Sequence, residues 1–241
     1  MDDLIKWLRE KADRARIAPF VAWVLFISIP GLLGGSDSRI GGWSQYLFYL
    51  AATIVVGWMV WVVRPVVKEM RWSVSWQAVV VGIAVFALWV GLDGLYPPLD
   101  PGKILSWDTA RERSSNWDVF TFFGEGSVLA WVFIAVHILG SSIVVPPIEE
   151  ALYRSFLYRW LIKEKFEDVP VGLWNKRSFI ITCVIFGLVH GDMWLAGILC
   201  GALYQWLVIR QKSLGDAMTA HGITNFLLGI YIVVTQKWFF W

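Results

Sequence analysis

Val145-Pro146-Pro147-Ile148-Glu149-Glu150-Ala151-Leu152-Tyr153-Arg154 is the stretch on which the reading of this chain turns: it sets two adjacent carboxylates and a guanidinium inside a long apolar run. Ionisable side chains at membrane depth cost several kcal/mol unless they face a bundle interior or a wet cavity, so they mark functional sites by default. Working outward, two more polar pairs at one-turn spacing lie in other apolar segments, Phe186-x-x-x-His190 and His221-x-x-x-Asn225. Three such pairs on separate helices point to one convergent site.

The surrounding composition puts the chain in a bilayer. Of 241 residues, 57% are hydrophobic and only 17% charged, with a mean hydropathy of +0.58, outside the range of ordinary soluble domains. The 17 tryptophans include Trp43, Trp61, Trp76, Trp131, Trp206 and Trp238 near segment ends, where amphipathic rings favour the headgroup boundary. The lipid bilayer is thus the first partner. A net charge of +2 leaves no extended basic face, which excludes a nucleic-acid groove. Cys183 and Cys200 sit in apolar segments, far from the C-x-x-C spacing of a zinc or redox site, and read as reduced packing residues. Residues 1–16 form an amphipathic stretch with Leu4, Trp7 and Leu8 on one face. Four acidic residues precede the first apolar run and no A-x-A-like exit follows it, which predicts a surface-lying helix feeding a retained span.

A spanning helix needs about 20 mostly apolar residues. The candidates are 17–35, 43–63, 76–96, 127–145, 148–162, 178–190, 195–209 and 217–235, so the expected fold class is all-α: a polytopic membrane helix bundle of about eight transmembrane helices with a polar intramembrane cavity. It divides into a surface helix (1–16), N-terminal spans with a polar loop (17–126) and a motif-bearing core (127–241). Pro146-Pro147 is expected to break the fourth span and open the fifth, putting Glu149 and Glu150 in a first helical turn where the helix dipole favours anions. Pro97, Pro98 and Pro101 start the one sizeable loop, which ends near Gly126. Lys and Arg divide almost evenly between the two sides, and extra weight on the first helix places both termini in the cytoplasm.

On a helix, Glu150 and Arg154 share a face and form an internal ion pair. Glu149 is turned about 100° away, which leaves it as the free carboxylate, a candidate general base. His190 closes its helix beside Gly191-Asp192, and Phe186, one turn earlier, packs over the imidazole. His221 and Asn225 offer two donors toward one point, the arrangement of an oxyanion hole, or alternatively helix-to-helix polar glue. His137, with no pattern attached, reads as structural. No base is spaced to activate Ser155, and G-x-S-x-G is absent.

In this order and on separate apolar helices, E-E-x-x-x-R, F-x-x-x-H and H-x-x-x-N resemble the CPBP family of intramembrane proteases, which includes the CAAX prenyl endopeptidases. Val145-Pro146-Pro147-Ile148-Glu149-Glu150, Tyr153-Arg154-Ser155-Phe156-Leu157-Tyr158-Arg159, Trp194-Leu195-Ala196-Gly197 and the Trp-rich end are similar to a branch associated with bacterial exosortase systems. The resemblance implies that Glu149 and His190 activate a water for attack on a peptide carbonyl. It further implies that His221 and Asn225 stabilise the oxyanion, that Glu150, Arg154 and Phe186 support them, and that the chain resides in a bacterial plasma membrane. The family has been described both as metal-dependent and as glutamate-type. Glu149, His190 and His221 could satisfy zinc and leave a position for water, but a dedicated site would more naturally carry histidines one turn apart on one helix, so no cofactor is expected. The leading expectation is an endopeptidase acting near the C-terminus of a membrane-associated peptide or protein substrate. The alternative is a noncatalytic membrane partner, for example a self-immunity protein. A transporter or proton relay would also bury such residues, but predicts pseudo-symmetric halves that the sequence lacks.

Overall fold

The computed structural model describes residues 2–32, 39–99 and 117–241, leaving aside the side chains of 39–41. Every regular element among them is helical: α1 (Asp2–Glu10), α2 (Ala12–Leu32), α3 (Arg39–Val63), α4 (Trp76–Gly91), α5 (Val119–Phe123), α6 (Val128–Trp160), α7 (Lys176–Leu188), α8 (Trp194–Gln211) and α9 (Gly215–Thr235). Most of the polar loop expected from Pro97 to Gly126 lies outside the described residues. The chain forms two compact units, Met1–Val67 with Arg113–Ile148 and Asn225–Trp241, and Lys68–Glu112 with Glu149–Thr224.

Among the described residues, five helical segments are long and apolar enough to cross a bilayer, against the eight expected: Ala12–Leu32, Gly42–Val63, Val128–Trp160, Gly191–Gln211 and Gly215–Thr235. The chain is an integral membrane protein. Two of the expected spans fall short: α4 has 16 residues and α7 has 13, which at about 1.5 Å per residue reach about 24 and 20 Å, against about 30 Å of hydrocarbon.

Two other expected spans are one helix. The fourth does not break at Pro146-Pro147; α6 runs unbroken through 33 residues. Its backbone widens into π-helical turns at Gly140–Val144 and Ala151–Leu157. In the first of these the Val145 amide donates to Gly140 O, five residues back instead of four. A proline breaks an α-helix by lacking an N–H and clashing with the carbonyl four residues earlier, and a π turn moves that carbonyl out of register. Glu149 and Glu150 therefore lie far from the start of their helix, so the dipole at its N-terminus is not what stabilises them.

In the first unit, Trp23, Tyr49, Ala52, Val56, Val144, Val145 and Ile148 form one apolar core cluster, and Tyr46, Val119, Ala130, Phe133, Ile134, Ile232 and Trp238 form another. Arg9 Nε donates to Val62 O at 2.8 Å and ties α1 down. Asp118 caps α5 by accepting from the Phe120 and Thr121 amides at 3.1 and 3.0 Å. Gly140 permits the close approach of α6 to α3, since a Cβ there would lie 2.6 Å from Thr53 Oγ1. His137 is buried between the planes of Tyr49 and Trp241, with ring centroids 4.1 and 4.3 Å away. That setting fits the structural reading of this histidine.

In the second unit α7 and α8 pack tightly enough that a Cβ on Gly187 would meet Trp194 O at 2.5 Å and Ile198 Cγ1 at 2.4 Å. Alanine is worth roughly 1 kcal/mol over glycine in a helix, but overpacking a filled interface costs about 1–3 kcal/mol. Gly187→Ala is accordingly expected to lower the thermal midpoint in detergent. Gly31→Ala, where a Cβ meets nothing within 4 Å, should not. Equal midpoints for the two variants would contradict the packing described.

Candidate active site

The second unit gathers most of the sequence-selected polar residues. Glu150 and Arg154, four residues apart on α6, form a fully enclosed pair with Arg154 Nε 3.2 Å from Glu150 Oε2. Glu150 Oε1 faces α9, where His221 Nδ1 lies at 3.1 Å. A carboxylate oxygen only accepts, so His221 donates through Nδ1–H. Its other nitrogen, Nε2, points to Glu149, 3.9 Å from Oε2. The Glu149 side chain keeps 15% of its surface, against none for Glu150, which makes Glu149 the more accessible carboxylate. His221 thus sits between two carboxylates, one of them fixed by a guanidinium.

Aromatic rings wall this cluster. The Arg154 guanidinium carbon lies 4.2 Å from the centroid of Phe186. Among the described residues neither Nη1 nor Nη2 of Arg154 finds a hydrogen-bond acceptor, and the ring face offsets part of the cost of burying the charge. The same Phe186 ring is 4.7 Å from the His190 ring and 6.4 Å from that of His221, so α7 presents one phenyl group to Arg154, His190 and His221. His190 Nδ1 donates to Phe186 O at 2.5 Å, an assignment that follows from the carbonyl being acceptor-only. This leaves Nε2 as the nitrogen free to accept. Trp89 meets the His190 ring edge-on at 5.3 Å, and Tyr204 stacks on His221 at 5.1 Å with 20° between planes.

Asn225 is placed differently. It belongs to the first unit, where its Nδ2 donates to Ser141 O at 2.8 Å. In the π register that carbonyl is the one a residue-146 amide would bond, and Pro146 has none. Asn225 thus satisfies a backbone acceptor left open by proline. Glu149, Glu150, Arg154 and His221 are brought together directly, His190 and Phe186 border them, and Asn225, in the first unit, gives one of its amide hydrogens to Ser141. Trp89 and Tyr204 were not singled out from sequence; neither belongs to a polar motif, and tryptophan is so common in this chain that no single one stands out.

Among the described residues no group of three or more His, Cys, Asp or Glu side chains is disposed to hold a metal ion. Among known protein families, the one described as "Type II CAAX prenyl endopeptidase Rce1-like" matches residues 131–227, a region that contains all three polar motifs. No curated protein and no solved structure matches. Over this region the chain is similar to a family of CAAX prenyl endopeptidases.

Proposed function

We propose that this protein is an intramembrane endopeptidase that hydrolyses a peptide bond near the C-terminus of a membrane-associated peptide or protein. The observation that carries the reading is the seat of His221, with Glu150 at 3.1 Å from Nδ1 and Glu149 at 3.9 Å from Nε2. The longer separation exceeds a hydrogen bond, about 2.7–3.2 Å. It leaves the two groups free to serve two different atoms of one reacting centre, a water on Glu149 and the carbonyl oxygen on His221.

The chemistry follows from that division. Glu149 takes a proton from water as the water oxygen adds to the carbonyl carbon. His221, as imidazolium with Nδ1–H given to Glu150, donates Nε2–H to the oxygen that gains negative charge. Arg154 and His221 then balance Glu149 and Glu150 charge for charge. Glu149 returns its proton to the amide nitrogen while the C–N bond breaks, giving an amine and a carboxylic acid that keeps the second water hydrogen. His190 accepts through Nε2 and is given the second hold on the water. Asn225 is given a hold on the oxyanion; both of these assignments come from the resemblance. So do the bacterial plasma membrane and the exosortase-associated branch. The chemistry is carried by protein groups alone.

The test is cleavage by purified protein, in detergent or vesicles, of peptides varied at their C-terminal residues and offered with and without a lipid anchor. Cleavage is expected to persist in chelator and to fall about 100-fold in kcat in His190→Ala. Unchanged turnover in that variant removes His190 from the mechanism. Loss in chelator with recovery on added zinc replaces the scheme by a metal-borne one, and failure to cleave any peptide would point to the noncatalytic class.

A further inference from the structure

The orientation of His221 needs more than its one short bond to Glu150, because an imidazole can rotate about its χ2 axis, which trades each ring nitrogen for a ring carbon. The bond to Glu150 resists that rotation, yet with Glu149 at 3.9 Å no second hydrogen bond helps to block it. A flat group lying against the ring face does, provided it is itself held. Tyr204 meets both requirements. Its ring is stacked on His221 with 20° between the planes, and the residue is buried to 2% exposure. Its hydroxyl donates to Thr224 Oγ1 at 2.8 Å. Thr224, one turn beyond His221's neighbour Ala220, has Gly82 O at 2.9 Å and Ala220 O at 3.0 Å. A threonine hydroxyl has one hydrogen to give, so it accepts from Tyr204 and donates to one of those carbonyls. Gly82 can serve because it lacks a side chain: a Cβ there would sit 2.7 Å from Ala220 O, so α4 and α9 touch through backbone. Four residues on three helices thus form one line, from Gly82 through Thr224 and Tyr204 to the face of His221.

We propose that Tyr204 is a positioning residue that holds the His221 ring in the orientation Nδ1 to Glu150 and Nε2 to Glu149, through its stacked ring anchored on Thr224. The proposal rests on the peptidase reading for its kinetic consequence, but not for its structural one. Buried hydrogen-bonded chains of this kind rigidify because every member is satisfied, and an angular error at a donor aimed at a reacting oxygen costs rate without costing substrate affinity.

The experiment uses the whole chain in detergent micelles with 15N-labelled histidine. The protein has three histidines, and His221→Gln identifies the His221 signals by their disappearance. In the parent protein the two His221 ring nitrogens are expected as separate, sharp resonances. In Tyr204→Leu each of them should broaden and shift as the ring exchanges between orientations, with kcat down by about 10- to 100-fold and KM within about twofold. Should Tyr204→Leu fail to fold, Tyr204→Phe and Thr224→Val decide. Each cuts the same anchor, so each should broaden the His221 signals, and the double variant should be no worse than the worse single one. His221 resonances and kcat unchanged in a folded Tyr204→Leu, or additive effects of Tyr204→Phe and Thr224→Val, overturn the proposal. If the parent chain cleaves nothing, the peptidase reading falls while the resonances still decide the role of Tyr204.

Discussion

Glu149→Gln is expected to reduce kcat for peptide cleavage by about 10³-fold or more, within the range of about 10²–10⁴ for losing a general base, while the protein keeps its fold. The replacement is nearly isosteric and removes only the ability to take a proton. Within the cluster it is the cheapest carboxylate to neutralise for stability: Glu149 is more exposed than Glu150, and the His221 Nε2 it faces is 3.9 Å away. Glu150→Gln is a contrasting control. It loses a carboxylate held by both Arg154 and His221 and should therefore damage folding as well as rate. Stopped-time assays with thermal melts on the same preparations separate the two. Equal turnover of parent and Glu149→Gln would refute the water-activating role outright.

Arg154→Met should produce the largest loss of stability in the chain, about 3–5 kcal/mol, the usual cost of stripping one partner from a buried ion pair. Neither side chain of the pair has any exposed surface. The variant leaves Glu150 in an apolar interior with only His221 Nδ1 to answer it, and it also loses the guanidinium contact with Phe186. Replacing both charges, Glu150→Gln with Arg154→Met, should recover most of the loss, because a buried pair is worth little net over an apolar pair of similar volume. Denaturation of the three variants in a mixed micelle closes the cycle. A single variant as stable as the parent would mean that the pair is solvated.

How far the sequence foretold this arrangement differs residue by residue. The Glu150–Arg154 pair was readable because it depends only on helical pitch within one segment. The packing of Phe186 beside His190 follows from the same rule. The bond from His221 to Glu150 joins residues 71 apart and could be inferred only as part of a general convergence. The proline pair misled for a definite reason. The rule that proline ends a helix presumes bonds to the fourth residue back, and the donation of Val145 to Gly140 shows a backbone that has slipped by one. From that slip follow the merged span and the mid-helix position of the glutamates. His221 and Asn225 share a helical face, and helical pitch alone says nothing of the partners each takes, Glu150 for one and Ser141 for the other. Tyr204 and Thr224 were invisible, since a stacked ring and a hydroxyl relay carry no spacing signature.

The bond from Asn225 to Ser141 has an evolutionary implication. A bare carbonyl facing hydrocarbon costs several kcal/mol, so a descendant that had lost all hydrolytic ability would still be under selection to keep Asn225 beside Pro146. The Asn225 half of the H-x-x-x-N signature therefore reports an intact scaffold whatever its part in hydrolysis. Surveys that sort live enzymes from retired ones would do better to weigh Glu149 than the last motif.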